Sequence, residues 1–397
     1  MRGIGAIATA RSGRGLVLGL CVAVSVVAAC GTAKTTPTPT PHTATPAPTA
    51  TAAATPAGTP NPCDVGVQAP PAADIPAAFA TAIAFAPDGR MFWAERAGTI
   101  RVWQSGASKV FATVQTVTTE RGGGYSERGL LGLAISPTFT TDRYVYAFYS
   151  DSNYTDQHVV RFTDCAGTGG DATSILTFPA GGDCCHKGGR IAFGPDGKLY
   201  VTLGEEHDAP AAQNTSDPRG KVLRYNPDGS IPADNPFGAN NAVWAYGLRN
   251  PFGIAFSSAG QLAVTNNGPS GDAGSPSTGY DTLLASVKKG AQYQWPLCYG
   301  YSHPLQASSC GSSIEPDWSS EHSTVVPTGA TFVDANGPSG YTGHLLFCSF
   351  DSGMKIVTFG SPHASVSNGP SGCALDVKEG PDHALYFSDT TTIHRLA

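Results

Sequence analysis

The sequence predicts an all-β protein, a six-bladed β-propeller of four-stranded antiparallel blades, from its composition and from one recurring phrase. Of 397 residues, 48 are Gly and 31 Pro, and only 14% are charged, against roughly 25% in an average globular domain. Glycine and proline at this density interrupt helices, and so few charged residues leave little to build the solvated face of an amphipathic helix. The phrase is an apolar run, a Pro-Asp-Gly-like turn and a second apolar run. It starts at Ala82 (AIAFAPDGRMFWAE), Leu131, Ile191 (IAFGPDGKLYVTLGE), Ile254, Thr328 and Leu375, giving six copies roughly 45 to 80 residues apart. That is the spacing of propeller blades.

Each copy reads as two strands joined by a hairpin, because Asp-Gly and Asn-Gly supply the positive φ of a tight turn. One such pair cannot bury its apolar face. Six four-stranded blades in a ring can, and they leave a centre lined by loops and strand ends where a site can form. A β-sandwich, the alternative all-β arrangement, needs frequent turns but has no long-range period.

Ahead of the predicted propeller, at 63–397, lie two segments of different composition. Arg2, Arg11 and Arg14 precede an apolar run from Gly15 to Ala29, too short for a comfortable membrane span and typical of an export signal. The run ends Val27-Ala28-Ala29-Cys30, which resembles a bacterial lipobox whose cysteine is lipidated; a plain signal peptide is the alternative. Residues 30–62 are nearly all Thr, Pro and Ala, with nothing to bury, and read as an extended spacer. The expectation is an extracytoplasmic protein, lipid-anchored to the membrane or secreted.

Charge excludes some partners. The 24 Lys and Arg, less the three in the export segment, leave 21 basic against 30 acidic residues, a balance of −9. Such a chain has no electrostatic footprint for nucleic acid, would be repelled by an anionic membrane surface, and suits small neutral substrates or cations. Of ten cysteines, eight remain once Cys21 and Cys30 are set aside, an even set that favours disulfides in an exported chain. Cys298 with Cys310 is the first pair by proximity, and Cys348 with Cys373 the next.

The segment Cys184 to Asp208, CCHKGGRIAFGPDGKLYVTLGEEHD, is the densest in chemistry. His186 stands where a loop enters a strand, and Glu205 closes the next strand of the same hairpin, so the two can lie side by side. A carboxylate on one imidazole nitrogen fixes the tautomer and frees the other nitrogen as a base. A lone histidine is more often a surface or core-polar residue; this one has a partner.

With ERGLLGLAISP from Glu127, GKVLRYNPDGSIPADNPF from Gly220 and VWAYGLRNPFGIAF from Val243, this segment resembles the soluble quinoprotein glucose and aldose sugar dehydrogenases, the glucose/sorbosone dehydrogenase family, from about Thr81 onward. The resemblance implies a propeller that binds pyrroloquinoline quinone (PQQ) and Ca²⁺ and oxidises an aldose at C1 to the lactone, passing electrons to an external acceptor. His186 would be the general base, Glu205 the acid that orients it, and Arg249 the cation that polarises the quinone oxygen. Glu127, Asn250 and Asn267 would contact the cofactor. Gly268 and Pro269 match the positions whose carbonyls bind calcium, and Asp272 and Asp281, with the loop between Asn267 and Gly274, could form a second calcium site, unless that loop is an ordinary Gly/Pro/Asn turn. A planar, acidic quinone calls for arginine's rigid fork, and Ca²⁺ for oxygen donors.

Two positions depart from the family pattern. The basic residues expected just before the strand of the last repeat are absent around Cys373-Ala374-Leu375-Asp376, and the acid expected before the histidine is Cys185. Lys187, Arg190 and Lys221 are candidates to compensate. Cys184 and Cys185 either bridge each other or pair separately with Cys165 or Cys63. The stretch from Tyr293 to Trp318, with Tyr299 and Tyr301, is a candidate sugar-facing wall. Two other functions fit a propeller: a non-catalytic binding protein, like the Hedgehog-interacting branch that has the fold without the cofactor, and a calcium-dependent lactonase, whose carboxylate-rich metal cage these motifs do not spell.

Overall fold

Six four-stranded antiparallel sheets make up the fold of this computed structural model, which describes residues 61–181 and 184–397. The expected export signal at 1–29, Cys30 and nearly all of the expected spacer lie outside the described residues. Blade 1 comprises Ala80–Phe85, Met91–Glu95, Thr99–Gln104 and Ala107–Thr113. Blade 2 comprises Leu130–Ile135, Tyr144–Ser150, Asp156–Cys165 and Thr168–Pro179. Blade 3 follows with Ile191–Phe193, Leu199–Leu203, Lys221–Tyr225 and Val243–Tyr246, and blade 4 with Asn250–Phe256, Leu262–Asn267, Thr282–Leu284 and Trp318–Ser319. Blade 5 is Pro327–Phe332, Leu345–Ser349, Gly353–Thr358 and Ser365–Asn368. Each copy of the sequence phrase supplies the first two strands of a blade, as where Ile83 pairs with Trp93 and Ile191 with Val201.

Blade 6 closes the ring. Its first three strands, Asp376–Glu379, Leu385–Ser388 and Thr392–Leu396, come from the C-terminal end of the chain. Its outermost strand is Ile75–Pro76, with Ile75 opposite Ile393. Proline is tolerated there because an edge strand leaves one side of its ladder unpaired. One apolar cluster lies at each interface between neighbouring blades. Between blades 1 and 2, for example, Phe92, Ile100 and Phe111 pack on Leu133, Val145 and Phe162. The hydrophobic core is therefore distributed around the ring, and each blade is stable only between two others.

All six first strands face the central axis, where they line a cavity of about 220 Å³. Arg190, just before blade 3, reaches across this axis to blade 6. Its Nη2 donates to the Leu375 carbonyl at 2.8 Å, and its Nη1 lies 3.4 Å from Asp376. Asp376 also accepts the Ile83 N–H of blade 1 at 2.8 Å. A buried ion pair thus ties three blades together at the axis.

The eight cysteines form Cys63–Cys165, Cys184–Cys185, Cys298–Cys310 and Cys348–Cys373. Both local pairs match the sequence expectation, and of the two arrangements open for Cys184 and Cys185 the vicinal bridge is the one formed. Among the described residues no helix is long and apolar enough to cross a membrane.

Removing one partner of a buried ion pair strands the other charge, at a cost of about 3–5 kcal/mol. Asp376→Ala should therefore destabilise the propeller by that amount in urea unfolding, whereas Asp208→Ala, at the partly exposed Arg219 pair, should cost at most about 1 kcal/mol.

Candidate active site

The loops that precede the first strands and those that follow the second strands meet at one end of the ring. They carry Glu127 ahead of blade 2, His186 ahead of blade 3, Glu205 behind its second strand, and Arg249 with Asn250 at the start of blade 4. Glu127 and Asn250, with Asn267, line a cavity of about 230 Å³; His186, Glu205 and Arg249 lie outside its lining.

The His186–Glu205 pair depends on glycine. His186 adopts φ +57°, and Gly188 and Gly189 follow at +61° and +92°. A Cβ on Gly204 would overlap the His186 carbonyl oxygen, and one on Gly188 would come within 2.7 Å of the Gly204 nitrogen. The loop into the first strand and the end of the second therefore touch through bare backbone, as only glycine allows. That contact sets His186 Nδ1 in hydrogen-bond contact with Glu205 Oε1. Both side chains are buried, and among the described residues Glu205 Oε2 has no hydrogen-bond partner. The Glu205 N–H donates to the Arg249 carbonyl at 2.8 Å, which joins this pair to blade 4.

Burial, then the charge of Arg249, hold the His186 imidazole well below its usual range, at about 3, although Glu127 pulls the other way. Burial likewise pushes the Glu205 carboxyl up to about 7, against the pull of Arg249. Both groups favour their neutral forms in this water-poor pocket. The His207 ring, two residues beyond Glu205, tilts against His186 with centroids 4.0 Å apart.

Arg249 is fixed from several sides. Its Nε and Nη2 donate to the two Asp272 oxygens at 2.7 and 3.0 Å, and its Nη1 donates to the carbonyls of Asn267 and Gly268 at 3.1 and 2.7 Å. The backbone N–H groups of Arg249 and Asn250 both donate to Asn266 Oδ1. Asp272 brings the two halves of the site together: one ligand atom each of His186, Glu205 and Asp272 lie within 4.8 Å of one another. On the other side, Glu127 Oε2 accepts from Asn250 Nδ2 at 3.1 Å and from the Lys187 N–H at 3.2 Å.

Several of the expected site residues already have protein partners. Asp281, expected to bind calcium with Asp272, accepts the N–H groups of Gly268, Val325 and Val326 and braces the loop from within. Asp272 is the counter-ion of Arg249. Asn267 lines the cavity but directs its amide to the Pro327 carbonyl at 3.1 Å. The three cations proposed to compensate for the bare Leu375 region are all engaged elsewhere. Lys187 pairs with Glu206, Arg190 with Asp376, and Lys221 donates to the carbonyls of Ala211, Ala212 and Arg219. Tyr299 packs on Tyr280 and His303, and Tyr301 on His363, so these part-exposed rings brace their own loop.

The sequence profile of the Glucose / Sorbosone dehydrogenase family matches residues 77–395. The chain belongs to the Glucose / Sorbosone dehydrogenase family. It is 31% identical over 231 residues to the aldose sugar dehydrogenase YliI of Escherichia coli, covering 54% of this chain and 58% of that protein. It is 29% identical over 255 residues to the quinoprotein glucose dehydrogenase B of Acinetobacter calcoaceticus, covering 55% and 50%. The matched region thus spans only about half the length of these curated relatives. A crystal structure from Thermus thermophilus assigned as a glucose dehydrogenase superposes with a TM-score of 0.69 at 30% identity, over 80% of this chain and 96% of that one. Within the Glucose / Sorbosone dehydrogenase fold, sequence reasoning missed two groups at this rim. His207 follows Glu205 in GEEHD, and its contact with His186 needs the positive φ of Glu206 and His207, at 55° and 62°. Arg96 lies in no shared motif and is brought to the cavity by the ring alone.

Gly204→Ala should cost about 1–3 kcal/mol, the usual penalty for forcing a group into a filled space. Gly170→Ala, where a Cβ meets nothing within 4 Å, is the control. Urea unfolding of both variants tests the difference.

Proposed function

We propose that this chain is an extracytoplasmic sugar dehydrogenase, dependent on PQQ and Ca²⁺, that oxidises an aldose at C1 to the lactone. The observation that carries the reading is the buried His186–Glu205 pair, within reach of Asp272 and hence of the guanidinium that Asp272 holds. Family membership and the quinoprotein relative support it, as does the rim chemistry. Export and lipid anchoring rest on the Val27-Ala28-Ala29-Cys30 sequence and on the disulfides.

The residues present fit both groups. The carbonyls of Asn267 and Gly268 already converge on one cation, the Arg249 guanidinium, and carbonyl oxygens suit a hard ion such as Ca²⁺. Gly268 and Pro269 would hold it. Arg249, Asn250, Glu127 and Asn267 would hold PQQ, with Arg249 and Asn250 as donors to its oxygens. When bound, PQQ supplies a two-electron acceptor and Ca²⁺ the charge that polarises it.

This chain's own residues do the proton chemistry. With Glu205 ionised, Nδ1 of His186 donates to it, which leaves the lone pair on Nε2; that atom has no protein partner among the described residues. His186 Nε2 takes the C1 hydroxyl proton as the C–H bond breaks, and the sugar leaves as the lactone. With Glu205 protonated, its O–H donates to Nδ1, the remaining imidazole proton moves to Nε2, and the base is lost. An external electron acceptor completes the cycle. A second reading, a binding propeller without cofactor, is favoured by the lack of basic residues around Leu375.

Reconstitution with PQQ and Ca²⁺ should give dye-linked oxidation of glucose or another aldose. The rate should rise with pH around a midpoint near 7, the Glu205 value. Glu205→Gln, whose amide oxygen still accepts from Nδ1, should lose that limb. His186→Ala should lose about 10²–10⁴ in rate and keep its cofactor. Failure to bind PQQ or to turn over any aldose would favour the binding reading.

A further inference from the structure

We infer that Arg96 is the anion clamp of the central cavity, the cation that takes a carboxylate of the bound quinone where blade 6 offers Leu375 instead. The inference rests on the quinoprotein reading above and names a residue that no motif marks.

Arg96 follows the second strand of blade 1, next to blade 6 in the ring, and its side chain lines the same cavity as Leu375, Glu127 and Asn250. Three backbone carbonyls hold it. Its Nε donates to Arg128 at 2.9 Å, and its Nη2 donates to Thr118 at 2.9 Å and to Ser126. Its guanidinium carbon also stands 5.1 Å over the Phe79 ring. Gly129 makes room for it, since a Cβ there would sit 2.6 Å from Arg96 Cγ. The side chain is therefore oriented before any ligand arrives.

It also lacks a counter-ion. Arg249 pairs with Asp272, Arg190 with Asp376, Lys187 with Glu206 and Lys378 with Asp376. Among the described residues no carboxylate lies within ion-pair distance of Arg96, and its Nη1 makes no hydrogen bond. Partial burial without an acid holds its guanidinium below the usual range, and the charge of Glu127 offsets this only in part. A half-buried, immobilised cation with no acid partner is an incomplete ion pair, and an anionic ligand completes it. Phe79, Tyr125 and Phe350 supply aromatic surface around the same cavity, which suits a flat ring bearing the carboxylate.

Binding is the test, followed by the absorbance of PQQ during equilibrium titration of the purified chain in Ca²⁺. Arg96→Leu should raise the Kd for PQQ about 10- to 100-fold, the range expected for a lost charge-assisted hydrogen bond. It should change the Kd for PQQ trimethyl ester, which carries no carboxylate, by less than about 2-fold. Arg96→Gln keeps an N–H donor for the carbonyls, drops the charge, and should show the same contrast should Arg96→Leu not fold. Unchanged PQQ affinity in the variants, or equal weakening of acid and ester, overturns the clamp. A wild-type chain that binds neither overturns the quinoprotein reading, and the clamp falls with it.

Discussion

The site rests on a backbone contact that no side chain could share: Gly204 lies against the carbonyl of His186. Because the loop into one strand of blade 3 touches the end of the next, the imidazole and the Glu205 carboxyl meet in a pocket with almost no water. Burial then sets the chemistry. In water a histidine and a glutamate would both carry charge near pH 6. Here desolvation and the Arg249 guanidinium keep the imidazole neutral, and desolvation, with the nearby Asp272 charge, keeps the carboxyl protonated to near neutrality. In the proposed mechanism, whether Glu205 carries a proton decides which ring nitrogen bears hydrogen and which can act as a base.

The ring supplies what the pair cannot. Glu127, His186 and Arg249 come from three blades, and their approach depends on a closure that joins strands from opposite ends of the chain. At the axis, the Arg190–Asp376 pair spans from blade 3 to blade 6 below the rim cavity. A cation that the sequence offered to the cofactor is thus structural. Arg249, Arg190, Lys187 and Lys378 each pair with an acid and hold the scaffold or the site loop, while Arg96, with no acid in ion-pair distance among the described residues, faces the cavity.

The fold was legible because its period is carried by local chemistry. Each Asp-Gly or Asn-Gly turn forces a hairpin, six hairpins at blade spacing force a ring, and two of the disulfides follow from proximity in the chain. His186, Glu205 and Arg249 were legible because they sit in motifs beside glycines. What stayed hidden depends on which blade faces which. Asp281 reads as a metal ligand by composition, yet three backbone N–H groups from two loops occupy its oxygens. Lys187, Arg190 and Lys221 read as free charges because their partners, Glu206, Asp376 and a set of carbonyls, are marked by no motif. Tyr299 and Tyr301 read as a wall because packing against His303 and His363 leaves no trace in spacing.

Which ring nitrogen of His186 bears hydrogen is directly observable. Nitrogen-15 chemical shifts of the His186 ring at pH 8, assigned by comparison with His186→Gln, report which nitrogen is protonated. The neutral tautomer with hydrogen on Nδ1 and a bare Nε2 is expected, giving way on acidification through pH 7 to hydrogen on Nε2 without formation of an imidazolium. An imidazolium at neutral pH, or a proton fixed on Nε2 at pH 8, would contradict the role assigned to the pair.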